Sequence, residues 1–273
     1  MIVHANVMVK NEEVLLSEVL PIWKEYQIDK WVFYNDNSTD NTEELIRQEL
    51  GKRAVVLNDN LPKFHEAHHR SRMLEYSRDN GADYAIAIDA DELMSRNLVD
   101  NFEEVLEMNS KYNIMYYWFN VVGDINHMRQ DPSYIENYRT FIMPLANTGK
   151  FDMRGWKYHT PRTPVINLPH VATKDVGFIH LQSINKEFYA LKQLWYKHFE
   201  FKEYNHSIHE INHRYDTVVN NMNFMEKEVP RKIVEGIEFD ASVYDKLAEV
   251  KGYKDYILKN KVNDLMTFGQ EYL

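Results

Sequence analysis

Tyr84-Ala85-Ile86-Ala87-Ile88-Asp89-Ala90-Asp91-Glu92 runs five aromatic or apolar residues straight into three carboxylates. The first five are apolar at every position rather than at alternate ones, which predicts a strand covered on both faces within a parallel sheet. Asn80-Gly81, just ahead, supplies a helix stop. Open α/β sheets bind ligands outside the carboxyl ends of their strands, so Asp89, Asp91 and Glu92 are predicted at that edge. Three carboxylates crowded together repel one another unless a cation lies among them. Hard oxygen donors suit Mg²⁺ or Mn²⁺ shared with substrate phosphates. A bare Asp-x-Asp is common, and acidic caps ahead of a helix near Leu98 also account for it. Its place after a buried strand favours the cation.

Working back toward the N-terminus, short β-type runs alternate with amphipathic segments, the pattern of parallel strands joined by crossover helices. Strands are predicted at Ile2 to Val9, Trp31 to Tyr34 and Ala54 to Leu57. Leu15, Val19, Ile22, Trp23 and Tyr26 recur at helical spacing between the first two, with Pro21 inside as a potential kink. A further helix is predicted over Ala67 to Ser77. His65, His68 and His69 lie along it beside Arg70 and Arg72, which reads as a solvated or phosphate-facing surface rather than a metal cluster.

Toward the C-terminus, Leu98, Phe102, Val105 and Leu106 mark a helix and Ile114 to Val122 a strand. Strand-like pieces follow at Tyr138 to Met143 and Val176 to Leu181, with a turn at Asn147-Thr148-Gly149. Phe188, Leu191, Leu194, Trp195 and Phe199 form an apolar stripe, and Leu247, Val250 and Ile257 suggest a later helix. The expected architecture is α/β, a mostly parallel Rossmann-like sheet flanked by helices over 1–184, with a helical C-terminal region over 185–273.

Composition bounds the function. With 273 residues and 13% aromatics, the chain can bury a substantial core. A formal charge of -10 opposes a nucleic-acid role, since phosphate backbones are held by clustered Lys and Arg. An anionic nucleotide remains compatible if a cation is supplied locally. No cysteine is present, so a metal must be held by oxygen or imidazole, and a reducing compartment fits. No run reaches the roughly 18 apolar residues of a membrane span. A soluble, cytoplasmic protein is expected, and if its substrate is lipid-linked it would have to approach the membrane from the side.

Two loops share the predicted edge. Asn35-Asp36-Asn37-Ser38-Thr39-Asp40-Asn41-Thr42 crowds turn and cap residues ahead of Glu43 and Glu44. Ser38, Thr39 and Asp40 read as caps, whereas Asn35 and Asp36, at the strand's end, are placed to read the imide edge of a uracil. Lys10, Asn11 and Glu12 follow the first strand and are placed to meet a nucleoside; Asn11 also suits a helix cap.

Taken in order and spacing, Ile2 to Val9 with Lys-Asn-Glu-Glu, then Tyr-Asn-Asp-Asn-Ser-Thr-Asp-Asn-Thr, then Ile-Asp-Ala-Asp-Glu resemble the family 2 glycosyltransferases of the GT-A fold over roughly the first 110 residues. The resemblance implies that Asp36, with Asn35, faces the base of a nucleotide-sugar, that Asp89 lies by the ribose and metal, and that Asp91 is the principal metal ligand. Lys63 resembles the position of a basic residue that helps hold the nucleotide. Asn35 departs from the more usual Asp. Gly177-Phe178-Ile179-His180 resembles a late strand-end histidine that completes the metal or pyrophosphate site in some relatives. Gly155-Trp156-Lys157-Tyr158-His159-Thr160 resembles a Gly-x-x-His-Glu element whose Glu is here Thr160.

The expectation is a metal-dependent glycosyltransferase moving a sugar from a nucleotide donor, UDP foremost, to a glycan, lipid-linked or protein-linked acceptor. Inverting transfer needs a base within reach of the acceptor hydroxyl, and Asp152 and His159 are the candidates, with Asp124 behind them. Trp156 and Arg162 are candidates to line the acceptor site, and packing or surface roles suit them equally. Two alternatives stay open. A sugar nucleotidyltransferase shares the acidic metal site, but Val7-Met-Val-Lys-Asn11 lacks its Gly-rich, basic loop. A non-catalytic nucleotide-sugar or glycan-binding module is the other.

Overall fold

Val3–Val9 (β1) is buried at every position except Met8, so it takes the middle of a sheet rather than an edge. Lys30–Asn35 (β2, preceded by helix α1, Glu13–Trp23) pairs with it in parallel, Ala5 opposite Trp31 and Val9 opposite Asn35. Ala54–Leu57 (β3) follows helix α2, Thr42–Leu50, and pairs in parallel with β2. Tyr84–Ala87 (β4) follows helix α3, Glu66–Asp79, and pairs in parallel on the other side of β1, Val3 opposite Tyr84. These are the four strands and crossover helices predicted from the sequence.

Alternation along β2 distributes the helices. Trp31 and Phe33 point to one face, where Trp23 of α1 stacks on Trp31 with ring centroids 4.6 Å apart. Val32 and Tyr34 point to the other, where they pack with Met73 of α3. The sheet is thus covered on both sides, which is why its strands read as near-continuous apolar runs.

The computed structural model describes residues 1–131, 136–152, 160–204, 207–220 and 226–260. They form two compact units, the first drawn from the described residues within 1–118, 138–179 and 235–237, the second from those within 119–137, 180–234 and 238–260. The remainder of the first unit is Glu92–Met94 (β5), Arg96–Asp100 (α4), Phe102–Asn109 (α5), the start of Asn113–Val122 (β6), Tyr138–Arg139 (β8), Ile142–Pro144 (β9) and most of His170–His180 (β10). The helix expected around Leu98 to Leu106 is two helices, broken at Asn101. β9 adds an antiparallel edge to β4, Ile86 opposite Ile142, giving the order β3-β2-β1-β4-β9. β5 bonds to β10 through Ser95 N–H to the Gly177 carbonyl, 3.0 Å.

In the second unit the end of β6 turns at Gly123, whose φ of +76° suits glycine, into Asp124–Arg129 (β7). Glu226–Glu228 (β11) pairs antiparallel with β7. The helical region expected past Asn185 is Lys186–Tyr204 (α6), Ile208–Asn220 (α7), Arg231–Val234 (α8), Val243–Lys251 (α9) and Tyr253–Lys259 (α10). Phe188, Leu191 and Leu194 of the predicted stripe are buried. Val250, which with Leu247 and Ile257 suggests one later helix, is exposed, and that stretch is two helices, α9 and α10, separated by Gly252 in a left-handed turn. Among the described residues no helix is long and apolar enough to cross a membrane.

Candidate active site

The carboxyl ends of β1, β2 and β4 carry the predicted residues, and the first two are laced into one surface. Asn11 holds a φ of +53°, a region Asn tolerates, and its Oδ1 accepts from Thr39 N–H at 2.7 Å. The Asn11 N–H in turn donates to Ser38 Oγ at 2.9 Å. Glu12 N–H donates to Thr42 Oγ1, and Glu13 takes both the backbone and side-chain N–H groups of Asn41. Asp40 accepts from Thr42 N–H through one oxygen and from Glu13 N–H through the other, serving the first turns of α2 and α1 together. The cap reading of Ser38, Thr39 and Asp40 therefore extends to a tie between two loops. Asn11 does not cap α1 with its side chain.

Asn35 and Asp36 are both buried, yet they differ in what they leave available. Asn35 donates to Glu43 at 3.1 Å and accepts from Ser38 N–H at 2.9 Å, so both ends of its amide shape the loop. Asp36 continues the β1–β2 ladder through its N–H, and its Oδ2 takes Lys10 Nζ at 2.9 Å. Its Oδ1 faces His69 Nε2 at 3.9 Å, beyond hydrogen-bond range. A broad surface hollow lined by Asn35, Ser38, Asp40, Glu43 and Arg47 includes neither Asp36 nor the aspartates that follow β4.

His69 is wholly buried, stacked on Tyr34 with centroids 4.0 Å apart and meeting the edge of Phe64 at 5.0 Å. This corrects the expectation of a solvated helix face. His69 shares the inward side of α3 with Met73 and Ser77, four and eight residues on. Burial, then the neighbouring His68 and His65, hold its pKa down to about 3, so the ring is neutral. Among the described residues neither ring nitrogen has a hydrogen-bond partner. Leaving such groups unmet costs about 1–3 kcal/mol each.

After β4 the chain makes a tight turn. Glu92 N–H donates to the Asp89 carbonyl, and Asp89 N–H donates to Glu92 Oε2 at 2.7 Å. Glu92 is not a third carboxylate at the rim, as the sequence suggested. It opens β5, is fully buried, and receives a bidentate fork from Arg162, Nη1 to Oε2 at 2.7 Å and Nη2 to Oε1 at 2.8 Å. Trp23 Nε1 donates to its carbonyl from α1. Burial pushes the Glu92 carboxyl upward, opposed by Arg162 and reinforced by Asp89 and Asp91.

Arg162 also reaches Asp89, Nη2 to Oδ2 at 2.9 Å, and lies over the Phe141 ring at 4.7 Å. On the other side Arg70 of α3 faces Asp89 Oδ1 at 3.5 Å while donating to Glu66 at 2.9 Å. Glu66 accepts from Thr160 N–H at 3.1 Å. Arg162 is thus the counter-charge of the strand edge and not a surface residue. Sequence reasoning missed this role for Arg162, Arg70 and Glu66, although the three carboxylates expected at one edge demanded some positive partner.

Glu66, Asp89 and Glu92 meet the guanidiniums of Arg70 and Arg162, and the Asp91 carboxylate adds to the negative field around Arg162. Asp91 is half-buried at the turn. Among the described residues no group of three or more His, Cys, Asp or Glu is arranged to hold a metal ion. Asp89 and Asp91, carboxylates two residues apart at a strand end, are the donor type that suits a cation of the Mg²⁺ kind, which takes one or two carboxylates and completes its shell with phosphates and water.

Lys63 is exposed on the bend leading to α3. Asp152 is exposed in the first unit, and His159 and Trp156 lie outside the described residues. In the second unit, Asp124 pairs with His127 at 2.9 Å, and buried His180 has Nδ1 2.7 Å from Asn120 Oδ1.

The fold is shared with solved glycosyltransferases. The 1–349 fragment of S. aureus TarS, alone and in complex with UDP, matches 97% of this chain and 83% of its own, with a TM-score of 0.50 at 12% identity. Against a longer TarS chain the match covers 82% of this chain but only 44% of that one. The mannosyltransferase PcManGT from Pyrobaculum calidifontis, in complex with GDP-Man and Mn²⁺, matches over 99% of this chain and 82% of its own, with a TM-score of 0.51 at 11% identity. These likenesses show the GT-A fold. No protein-family profile and no curated protein sequence matches the chain.

Proposed function

We propose that this chain is a glycosyltransferase that binds a nucleotide-sugar, UDP-linked, with a divalent cation and passes the sugar to a hydroxyl of a glycan or glycoconjugate. The observation that carries the reading is the pairing of two acidic strand ends on either side of β1, Asp36 after β2 and Asp89 with Asp91 after β4. Two strand spacings separate those ends, roughly 10 Å. A nucleoside laid across β1 spans that distance, with its base at Asp36 and its diphosphate at Asp91. The fold likeness to TarS, solved with UDP, and to PcManGT, solved with GDP-Man and Mn²⁺, supports the same reading.

Asp36, held by Lys10, accepts from the base. Asn11, Glu12 and Asn35 keep the two loops in register beneath the nucleoside, and Lys63 approaches the diphosphate. Asp91 is the principal cation ligand and Asp89, steadied by Arg162 and Arg70, the second. When bound, the cation neutralises the diphosphate leaving group. The protein's own contribution is preorganisation: Glu92 closes the turn and Arg162 fixes Asp89, so little rearrangement accompanies charge build-up. Asp152 is the general base for inverting transfer among the described residues, with His159 the alternative.

The test is nucleotide release by the full chain from a panel of nucleotide-sugars with Mn²⁺, across an acceptor array, with and without chelator. Release that needs both cation and acceptor is expected. Tight UDP binding without turnover on any acceptor identifies a binding module instead, and pyrophosphate release a nucleotidyltransferase.

A further inference from the structure

His69 combines features that packing alone does not require. It is fully buried, its ring lies parallel to Tyr34 within 16°, and both nitrogens lack partners among the described residues. A phenyl ring fills such a slot without stranding two polar atoms. One of those atoms points to the single carboxylate oxygen of Asp36 that Lys10 does not take. The gap of 3.9 Å exceeds a hydrogen bond by only about 1 Å.

We propose that His69 is a positioning residue for base recognition: in the nucleotide-loaded protein its Nε2–H donates to Asp36 Oδ1 and fixes the carboxylate to accept a ring N–H. This rests on the nucleotide reading given above. With Lys10 on Oδ2 and His69 on Oδ1, each oxygen keeps one lone-pair direction for the ligand. An ionised carboxylate so oriented matches the imide N–H of uracil and opposes the bare N3 lone pair of cytosine. His69 thereby sets selectivity for uridine over cytidine nucleotides without touching either.

The experiment compares UDP and CDP binding, with Mn²⁺, by calorimetry on the full chain and on His69→Phe and His69→Gln. Phe keeps the stack on Tyr34 and removes the donor, whereas Gln Nε2 restores a donor at similar reach. Expected are an about tenfold weaker UDP affinity in H69F with CDP unchanged, recovery in H69Q, and an Nε2 ¹⁵N shift in the wild type on adding UDP. An unchanged UDP-to-CDP ratio in H69F overturns the role of His69 and leaves the nucleotide reading standing. A wild-type chain with no affinity for UDP overturns both.

Discussion

Arg162 grips Glu92 with both arms of its guanidinium, at 2.7 and 2.8 Å, from 70 residues further along the chain. The same Nη2 touches Asp89, so one side chain couples a buried structural carboxylate to the carboxyl end of β4.

Removing that guanidinium strands a buried charge. Arg162→Met is expected to lose about 3–5 kcal/mol in urea denaturation. Adding Glu92→Leu removes the stranded carboxylate and recovers part of the loss. A single variant as stable as wild type would contradict the pairing.

Asp91, half-buried at the turn after β4, is the principal cation ligand in the proposed function. Asp91→Ala should change stability by no more than about 1 kcal/mol while lowering cation-dependent donor turnover at least about a hundredfold. Turnover across a Mn²⁺ titration, alongside melting curves, checks both halves.

His69 gives stability an acid-side dependence. Its folded pKa near 3 lies below the ordinary 6.5, because burial and then His68 and His65 disfavour the charged ring. Between those values the unfolded chain binds a proton that the folded chain refuses, so stability falls as pH drops through 6.5 toward 3. Above 6.5 the group has no effect. The slope is at most about 1.4 kcal/mol per pH unit, so wild type should lose about 2 kcal/mol more than H69F between pH 7 and 5. Urea midpoints for the two proteins across that range make the comparison, and parallel curves would refute it.

Asn11 separates backbone strain from hydrogen bonding. At φ +53° with Oδ1 on Thr39 N–H, Asn11→Gly should cost about 1 kcal/mol for the lost bond. Asn11→Ala should cost about 2 kcal/mol, adding left-handed strain. Equal losses in thermal unfolding would show that the φ angle is not retained in solution.

What could be read in advance followed local rules. Apolar runs without alternation located β1, β2 and β4, and the polar residues just past them located Asp36, Asp89 and Asp91. Glu92 is misplaced because a short strand begins there straight after the tight turn, with its side chain buried. Arg162 could not be assigned, since a pairing across 70 residues leaves no periodic trace. His69 was different: Glu66, Arg70, Met73 and Ser77 recur at spacings of three and four with it, so the buried stripe was present but masked by polar residue types.

The lacing of Asn11, Glu12 and Glu13 to Ser38, Thr39, Asp40, Asn41 and Thr42 has a dynamic consequence. Five amide protons, those of Asn11, Glu12, Glu13, Thr39 and Asn41, are each bonded to the other loop's side chains. They cannot open one at a time without breaking the shared seam, so their exchange with deuterium should proceed as one cooperative event. The sheet edge behaves there as a single plate rather than two independent fingers.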